Sequence, residues 1–427
     1  MENVNKNYPK VLVISSAPFS KTKNNGKTLT SFFAGYNVES IAQFCFSGDD
    51  CNAEVCDKYY FLTNEDAIHK RGGKAYAASD IKIADFGASQ RKGVRRFFNF
   101  FSQMRMPLTT YINNRIWEKA DYSNAHKWIE AFHPDVVFFQ GFSMTYGYDF
   151  ALEVCKRNHI PMILELTDDY THNLYPLSIL NYYNLKRYKK RFSEAIRYSY
   201  KTIVISDAMK EEYEPLYGGD MVVMMNTVKK VSENSIPRTT GDYVYAGNVL
   251  LNRWKVLRSF GVALAQTVPG AVLNIYTPDM PPKAALKAFS KVPSIRYGGS
   301  LTKEELENRL QQCEYVVHVE AFDRKNRWIT RLSMSTKISE YLACGANVVA
   351  IGPSDVASMK CLDENRLALC INHYSIKRIA DALEQIDSQS IHYKRNAEAF
   401  LEDCASNANK DRIAGFVRDA TAMYGRK

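Results

Sequence analysis

Along the chain, short runs of β-branched and aromatic residues alternate with longer stretches whose apolar positions recur every three or four residues. Runs of the first kind fall at 11–16, 40–46, 59–63, 135–140, 162–167, 202–206 and 222–225. Strands buried on both faces read as continuous apolar segments of this kind, and the helical patterns between them, such as 148–158 and 182–199, supply the crossovers. A polar stretch without periodicity, KKVSENSIPRTTG at 229–241, interrupts the alternation and predicts an interdomain linker. Beyond it the alternation restarts. Strands are predicted over 243–246, 272–276, 294–297, 315–319, 347–351 and 367–371, and helices over 252–267, 303–312, 337–344 and 375–386. The pattern predicts an α/β protein of two doubly wound, Rossmann-like domains facing a cleft, where open sheets of this kind bind ligands. The expected boundaries are 1–232 for the first domain, 233–241 for the linker and 242–400 for the second domain. A C-terminal helix within 401–427 is placed to pack back on the first domain.

Composition narrows the class. The 427 residues suit two domains, and 46% hydrophobic with 24% charged residues suffices for ordinary cores without disulfides or metal. The nine cysteines are odd in number, scattered and without a CxxC pair, which argues against a disulfide framework and a zinc site and for a reducing compartment. The opening MENVNKNYPK lacks the apolar core of a signal peptide, and no window reaches the roughly eighteen apolar residues of a membrane span. A cytoplasmic protein is expected. A formal charge of +10 asks for an anionic partner, and nucleic acid, anionic lipid and phosphorylated small molecules all qualify by sign. No nucleic-acid-binding module is recognisable, so nucleic acid is not expected. Neither a metal-ligand set nor a cofactor motif is apparent.

Five segments carry candidate chemistry. In the first, SMSTKISEYLACGANVVAIGP at 333–353, Ser and Thr can cap a helix starting at Lys337, and Gly345 can end it. Such a helix would turn its N-terminal amides toward a phosphate, with Glu340 one turn in and suited to a pair of vicinal hydroxyls. A plain surface helix in which Lys337 and Glu340 pair is the alternative. The second, YAGNVLLNRWK at 245–255, runs from a strand through Gly247 into a helix whose first turn holds Arg253 and Lys255. Cations are disfavoured there by the helix dipole unless an anion is near, so a bound phosphate is one reading and an exposed basic face the other. The third, NNGKT at 24–28, is read as a loop in which Gly26 admits a phosphate, or as an ordinary solvent loop. The fourth, ELTDDY at 165–170, puts Asp168 and Asp169 at a strand's carboxyl end, fit either to take a proton or orient an acceptor, or to cap a turn. The fifth, RKGVRRFFNFFSQMRM at 91–106, interleaves cations with phenylalanine and methionine. It fits an amphipathic helix on an anionic membrane surface or a core helix with a basic outer face, and 186–191 could either join the same surface or be a solvated helix face.

The stretch STKISEYLACGANVVAIGP resembles the nucleotide-binding element of glycosyltransferase family four and its GT-B relatives, where a helix bearing Glu, a small residue, Ala and Gly leads into a strand. The resemblance implies that Glu340 holds a donor ribose and that Ser333, Ser335, Thr336 and Lys337 lie against the diphosphate or the donor sugar. Related transferases also carry a glycine–arginine pair and a later lysine at the second segment. Here Asn248 follows Gly247, Arg253 stands where the lysine is usual, and Lys255 is placed to supply the remaining charge. Members with paired glutamates have one eight residues before the helix glutamate. That position is Leu332, so either another residue, with Glu320 in HVEAFD the candidate, reaches the donor sugar, or backbone and hydroxyl groups hold it. The implied activity is sugar transfer from a nucleotide-diphosphate sugar, which is a substrate and not a cofactor, to a glycan or polyprenyl-linked acceptor in polysaccharide synthesis, without metal. A nucleotide-sugar epimerase of the same fold and a non-catalytic basic binding protein are the rival readings.

Overall fold

The computed structural model describes residues 8–21, 24–49, 51–81, 102–172, 174–225, 238–386, 390–403 and 406–424. The chain divides into two compact units, one of Met1–Met224 with Asn407–Lys427 and one of Met225–Ser406.

The first unit is built on β1 (Val11–Ser15), β2 (Ile41–Cys45), β3 (Lys58–Phe61), β4 (Lys74–Ala77), β5 (Val136–Gln140), β6 (Met162–Leu166), β7 (Lys201–Val204) and β8 (Met221–Val223). Their order in the sheet is β4-β3-β2-β1-β5-β6-β7-β8. All pair in parallel except β3 with β4. Every residue of β1, β2, β5 and β6 is buried, as the continuous apolar runs require of strands covered on both faces. The helices are α1 (Asn24–Phe33), α2 (Asn64–His69), α3 (Ser102–Trp117), α4 (Ser123–Phe132), α5 (Thr145–Asn158), α6 (Ile179–Tyr198) and α7 (Asp207–Tyr217).

The second unit is β9 (Thr239–Ala246), α8 (Arg253–Thr267), β10 (Val272–Tyr276), α9 (Lys283–Phe289), β11 (Ile295–Gly299), α10 (Lys303–Gln312) and β12 (Cys313–Val319). It continues with α11 (Arg324–Thr330), α12 (Lys337–Ala343), β13 (Asn347–Ile351), α13 (Ala357–Glu364), β14 (Leu369–Ile371), α14 (Ile376–Leu383) and α15 (Ser390–Asp403). The strands lie in the order β11-β10-β9-β12-β13-β14, and all neighbours are parallel. The last helix, α16 (Ser406–Tyr424), seats Ile413, Val417 and Ala420 in the core of the first unit.

Three expectations change. The strand β4 is absent from the predicted set, because a short antiparallel edge strand reading KAYA, half exposed, carries neither an apolar run nor clean alternation. The expected linker ends earlier than 241: β9 begins at Thr239, where its polar first residues stand in solvent yet pair with Cys313 of β12. Arg238 beside it is a structural staple, donating to the carbonyls of Cys313 at 2.6 Å and Cys344 at 2.7 Å. The stretch 24–28 is the first turn of α1 and not a loop. Of the basic, phenylalanine-rich stretch 91–106, residues up to 101 lie outside the described residues, and 102–106 open α3.

Candidate functional site

In an open parallel sheet, ligands gather where neighbouring strands depart to opposite sides, at the carboxyl ends. In the second unit that point lies between β9 and β12. Gly247 and Asn248 follow β9, and Glu320 follows β12. Across this point Arg253, first residue of α8, donates from Nη2 to Glu320 Oε1 at 3.1 Å and Oε2 at 2.9 Å. The carboxylate side chain is 3% exposed and the guanidinium side chain 21%. Burial opposes the arginine's charge, but the Glu320 carboxylate outweighs it and holds the guanidinium firmly protonated. Arg253 Nε is buried and finds no partner among the described residues.

The carboxylate is framed by His318 Nε2 and Ser358 Oγ, each 3.5 Å from Oε1, and these two lie 3.3 Å apart. Burial, reinforced by Arg253 and opposed by Glu320, pushes His318 down to about 4, so it is neutral at pH 7. The approach of α8 is strained. Leu251 and Asn252 both take positive φ, at 55° and 61°, a conformation that L side chains adopt at a cost. Asn252 Nδ2 offsets part of it by donating to Asp323 Oδ2 at 2.9 Å, which ties the loop after β9 to the loop after β12. Asn248 is likewise spent on the loop itself, its Oδ1 accepting from Leu250 N at 2.6 Å and its carbonyl from Tyr245 Oη at 2.7 Å. A Cβ at Gly247 would meet that Tyr245 hydroxyl at 3.2 Å.

The helix carrying Glu340 is placed by its neighbour. Tyr341 Oη donates to the carbonyl of Ala246 at 2.9 Å and receives Ala246 N–H at 3.0 Å, so α12 is fixed against the residue preceding Gly247. Both backbone groups are buried, and Tyr341→Phe would strand them. The variant is expected to lose about 1–3 kcal/mol in urea unfolding, read as a lower midpoint at unchanged slope. Lys337 Nζ lies 3.4 Å from Glu340 Oε2, with both side chains part exposed.

The predicted residues therefore separate into those the fold gathers and those it does not. Gly247, Asn248, Arg253 and Glu320 meet at the switch point, and Tyr341 fixes α12, which carries Lys337 and Glu340, against Ala246. Arg253 and Glu320, assigned to diphosphate and sugar respectively, are paired with each other, and Glu320 is the anion that the helix dipole demanded beside Arg253. Lys255 belongs elsewhere. Two residues on along a helix is about 200° around it, and Lys255 lines a cavity with Arg258, Lys287 and Lys291 while covering the Trp254 ring. Thr336, the residue before α12, makes no side-chain cap, and Ser335 accepts Ile338 N–H through its carbonyl at 3.1 Å. Leu332 is buried, and its apolar side chain offers a sugar no hydrogen bond.

In the first unit, Gly26 is explained by packing. A Cβ there would fall 2.3 Å from the Pro18 carbonyl oxygen, so the glycine lets α1 pass over the β1–α1 loop, and no phosphate is needed to account for it. Asp168 is exposed, and Tyr170 Oη donates to its Oδ2 at 3.4 Å. The Asp169 side chain is nearly fully buried. It accepts from Thr171 N at 2.8 Å, Thr171 Oγ1 at 2.7 Å and Tyr213 Oη at 2.6 Å, and pairs with His172 Nδ1 at 2.9 Å. Burial would raise this acid, but those partners outweigh it and hold the carboxyl well below the usual carboxylate range. So satisfied a carboxylate is a poor proton acceptor, and its hydrogen bonds hold the 168–172 loop. Sequence reasoning also passes over Glu165 and Gln140, neighbours across β6 and β5. Both are buried, with Glu165 Oε2 and Gln140 Oε1 lacking partners among the described residues.

Compared with family models and with curated proteins, the chain matches none. Solved structures do match. The α,α-trehalose 6-phosphate synthase of Burkholderia multivorans aligns at a TM-score of 0.60 and 12% identity, over 97% of this chain and 99% of that one. Anabaena Alr3699/HepE, solved with UDP-glucose, aligns at 0.58 and 12% identity over 96% of this chain and 100% of its own. The chain has the GT-B fold. A Staphylococcus aureus TarM variant, solved with Fondaparinux, alpha-GlcNAc-glycerol and UDP, aligns at 0.50 and 12% identity over 71% of this chain and 59% of that one. Within the GT-B fold the Arg253–Glu320 pair follows the two central strands of the second sheet.

Proposed function

We propose that the chain is a glycosyltransferase akin to family four. It moves a sugar from a nucleotide-diphosphate sugar to a hydroxyl of a glycan or lipid-linked acceptor in the cytoplasm, with retention of configuration, as a step in cell-surface polysaccharide synthesis. The observation that carries the reading is a permanently charged guanidinium at the switch point of a GT-B sheet, held by Glu320 and retaining a buried, unused Nε–H. A diphosphate leaving group develops negative charge as the glycosidic bond breaks. A fixed cation with a spare donor stabilises that charge without reorganising. Lys337 adds a second positive charge, so the leaving group's charge can be met without a metal ion, and Glu340 takes the ribose hydroxyls, exchanging its contact with Lys337 for them. A retaining transfer requires no protein base, which agrees with Asp169 being fully hydrogen-bonded. Asp168, exposed at the end of β6, is assigned to orient the acceptor.

Two of the fold neighbours were solved with uridine nucleotides, so UDP is the first nucleotide expected to bind. In a thermal-shift panel of uridine, guanosine and cytidine diphosphates, one is expected to stabilise the protein. At a hundredfold excess over its dissociation constant the gain is about 2.7 kcal/mol. Glu340→Ala should melt like the wild type without nucleotide and lose most of the shift. A wild type stabilised by none of the three would remove the basis of the reading.

A further inference from the structure

Water-facing surfaces of folded proteins carry scattered apolar side chains, and contiguous ones mark a contact. The first unit has such a patch. At the entry to α6, Leu177 is 87% and Ile179 89% exposed, and Leu174, Tyr182 and Tyr183 are exposed beside them. The neighbouring α3 adds Met106, Leu108 and Ile112, likewise exposed. These are one surface. Asn184 Nδ2 donates to the Pro107 carbonyl at 2.8 Å, and the rings of Tyr111 and Tyr183 lie 6.0 Å apart, so the two helices are locked side by side at the patch.

Along α6 the outward stripe continues from Ile179 and Tyr183 to Lys186 and Lys190, at helical spacing, with Lys189 adjacent. All three lysines are exposed and form no ion pair among the described residues. The inward face of the same helix behaves differently: Arg187 pairs with Glu118, and Arg191 with Asp149 and Glu194. No acidic residue occurs anywhere in 170–193 or in 102–117. An apolar tip, tyrosines beside it and unopposed lysines behind it form the profile of a surface that inserts shallowly among lipid headgroups while its cations meet anionic phosphates.

We infer that α3 and the entry to α6 form a membrane-docking face for an anionic bilayer, with Leu177 and Ile179 as the inserting tip and Lys186, Lys189 and Lys190 as the electrostatic contacts. The loop bearing Asp168 and His172 runs directly into this tip, so a bilayer docked there would present a lipid-linked hydroxyl next to the proposed acceptor-orienting residue. A bilayer is favoured over a protein partner or a second copy of this chain by the one-sided charge: a self-complementary face of this kind would set the lysines of one copy near those of another.

The test is co-sedimentation of the full chain with vesicles of phosphatidylcholine alone and of equal parts phosphatidylcholine and phosphatidylglycerol, without donor or acceptor, so its outcome is independent of the transferase reading. Binding is expected to the anionic vesicles only, and to weaken as salt rises. Leu177→Ser with Ile179→Ser should weaken it about tenfold for each side chain. Lys186→Gln, Lys189→Gln and Lys190→Gln together should weaken it about 100-fold. Melting temperatures should stay unchanged, since none of these side chains is buried. Absence of sedimentation with anionic vesicles, or sedimentation that the Leu177/Ile179 variant leaves intact, overturns the assignment. So does a wild-type dimer in light scattering that becomes monomeric in that variant while no vesicles are bound.

Discussion

Replacing Arg253 by Met is expected to cost about 3–5 kcal/mol of stability, and adding Glu320→Gln to the same chain is expected to return most of it. The first change leaves a carboxylate that is 3% exposed with its cation removed and only the neutral His318 and Ser358 beside it. The energy lost is mostly the penalty of an uncompensated buried charge, not the net worth of the pair. The amide in the double variant has the same shape and no charge to desolvate, so most of that penalty disappears. A double-mutant cycle in urea reads the coupling directly, and additive losses would mean that the pair is solvated in solution. Nucleotide binding should behave in the opposite way. The double variant, stable again, still lacks the guanidinium, so the diphosphate-induced thermal shift should remain absent. Recovery of stability without recovery of binding separates the two duties that Arg253 is assigned, holding Glu320 and meeting the diphosphate.

The pair also shows how far the sequence can be read. Both residues stand out in isolation, Arg253 because a cation opens a helix and Glu320 because an acid follows a strand. They are 67 positions apart, and nothing local says that they meet. Strand order brings them together: β9 and β12 are adjacent although several elements separate them in the chain. His318 is within reach, since residues two apart on a strand share a face, but Ser358, the third member of the cluster, comes from α13. Lys255 lies about 200° around α8 from Arg253, and the cavity it lines with Arg258, Lys287 and Lys291 is seen only in the fold. In the first unit, the Asp169–Thr171 bonds are a local Asx-type turn of the kind that sequence suggests, whereas the Tyr213 hydroxyl that completes the carboxylate's shell arrives from α7. The alternation of elements is legible for a different reason. Parallel strands covered on both faces are apolar over most of their length, and β1, β2, β5 and β6 follow that pattern except at Ser15, Gln43, Gln140 and Glu165. Where solvent relaxes it, at β4 and the outer end of β9, the pattern fades.

At alkaline pH, Glu165→Gln should be more stable than the wild type, by about 2–5 kcal/mol, and the advantage should shrink to little at pH 5. Burial raises the Glu165 carboxyl to about 8, with Asp168 adding to the rise and a hydrogen bond from Gln140 opposing it. In the unfolded chain the same group releases its proton near pH 4.3. Between those two values the folded state binds a proton that the unfolded state does not, so stability falls as pH rises through the window. Above about 8 the folded protein holds a buried anion whose Oε2 has no partner among the described residues, and the penalty stays. The amide in the variant has nothing to titrate, so its unfolding free energy should lack this component of the pH dependence. Asp169 does not confuse the comparison. Its carboxyl is shifted the other way, so its contribution is complete above the unfolded carboxylate range and is lost only in strong acid. Urea unfolding of both proteins at pH 5, 7 and 9 isolates the effect as a difference that grows with pH. A difference of equal size at pH 5 and pH 9 would show that Glu165 is ionised in the folded state throughout, and that the carboxyl end of β6 is wetter than its burial indicates.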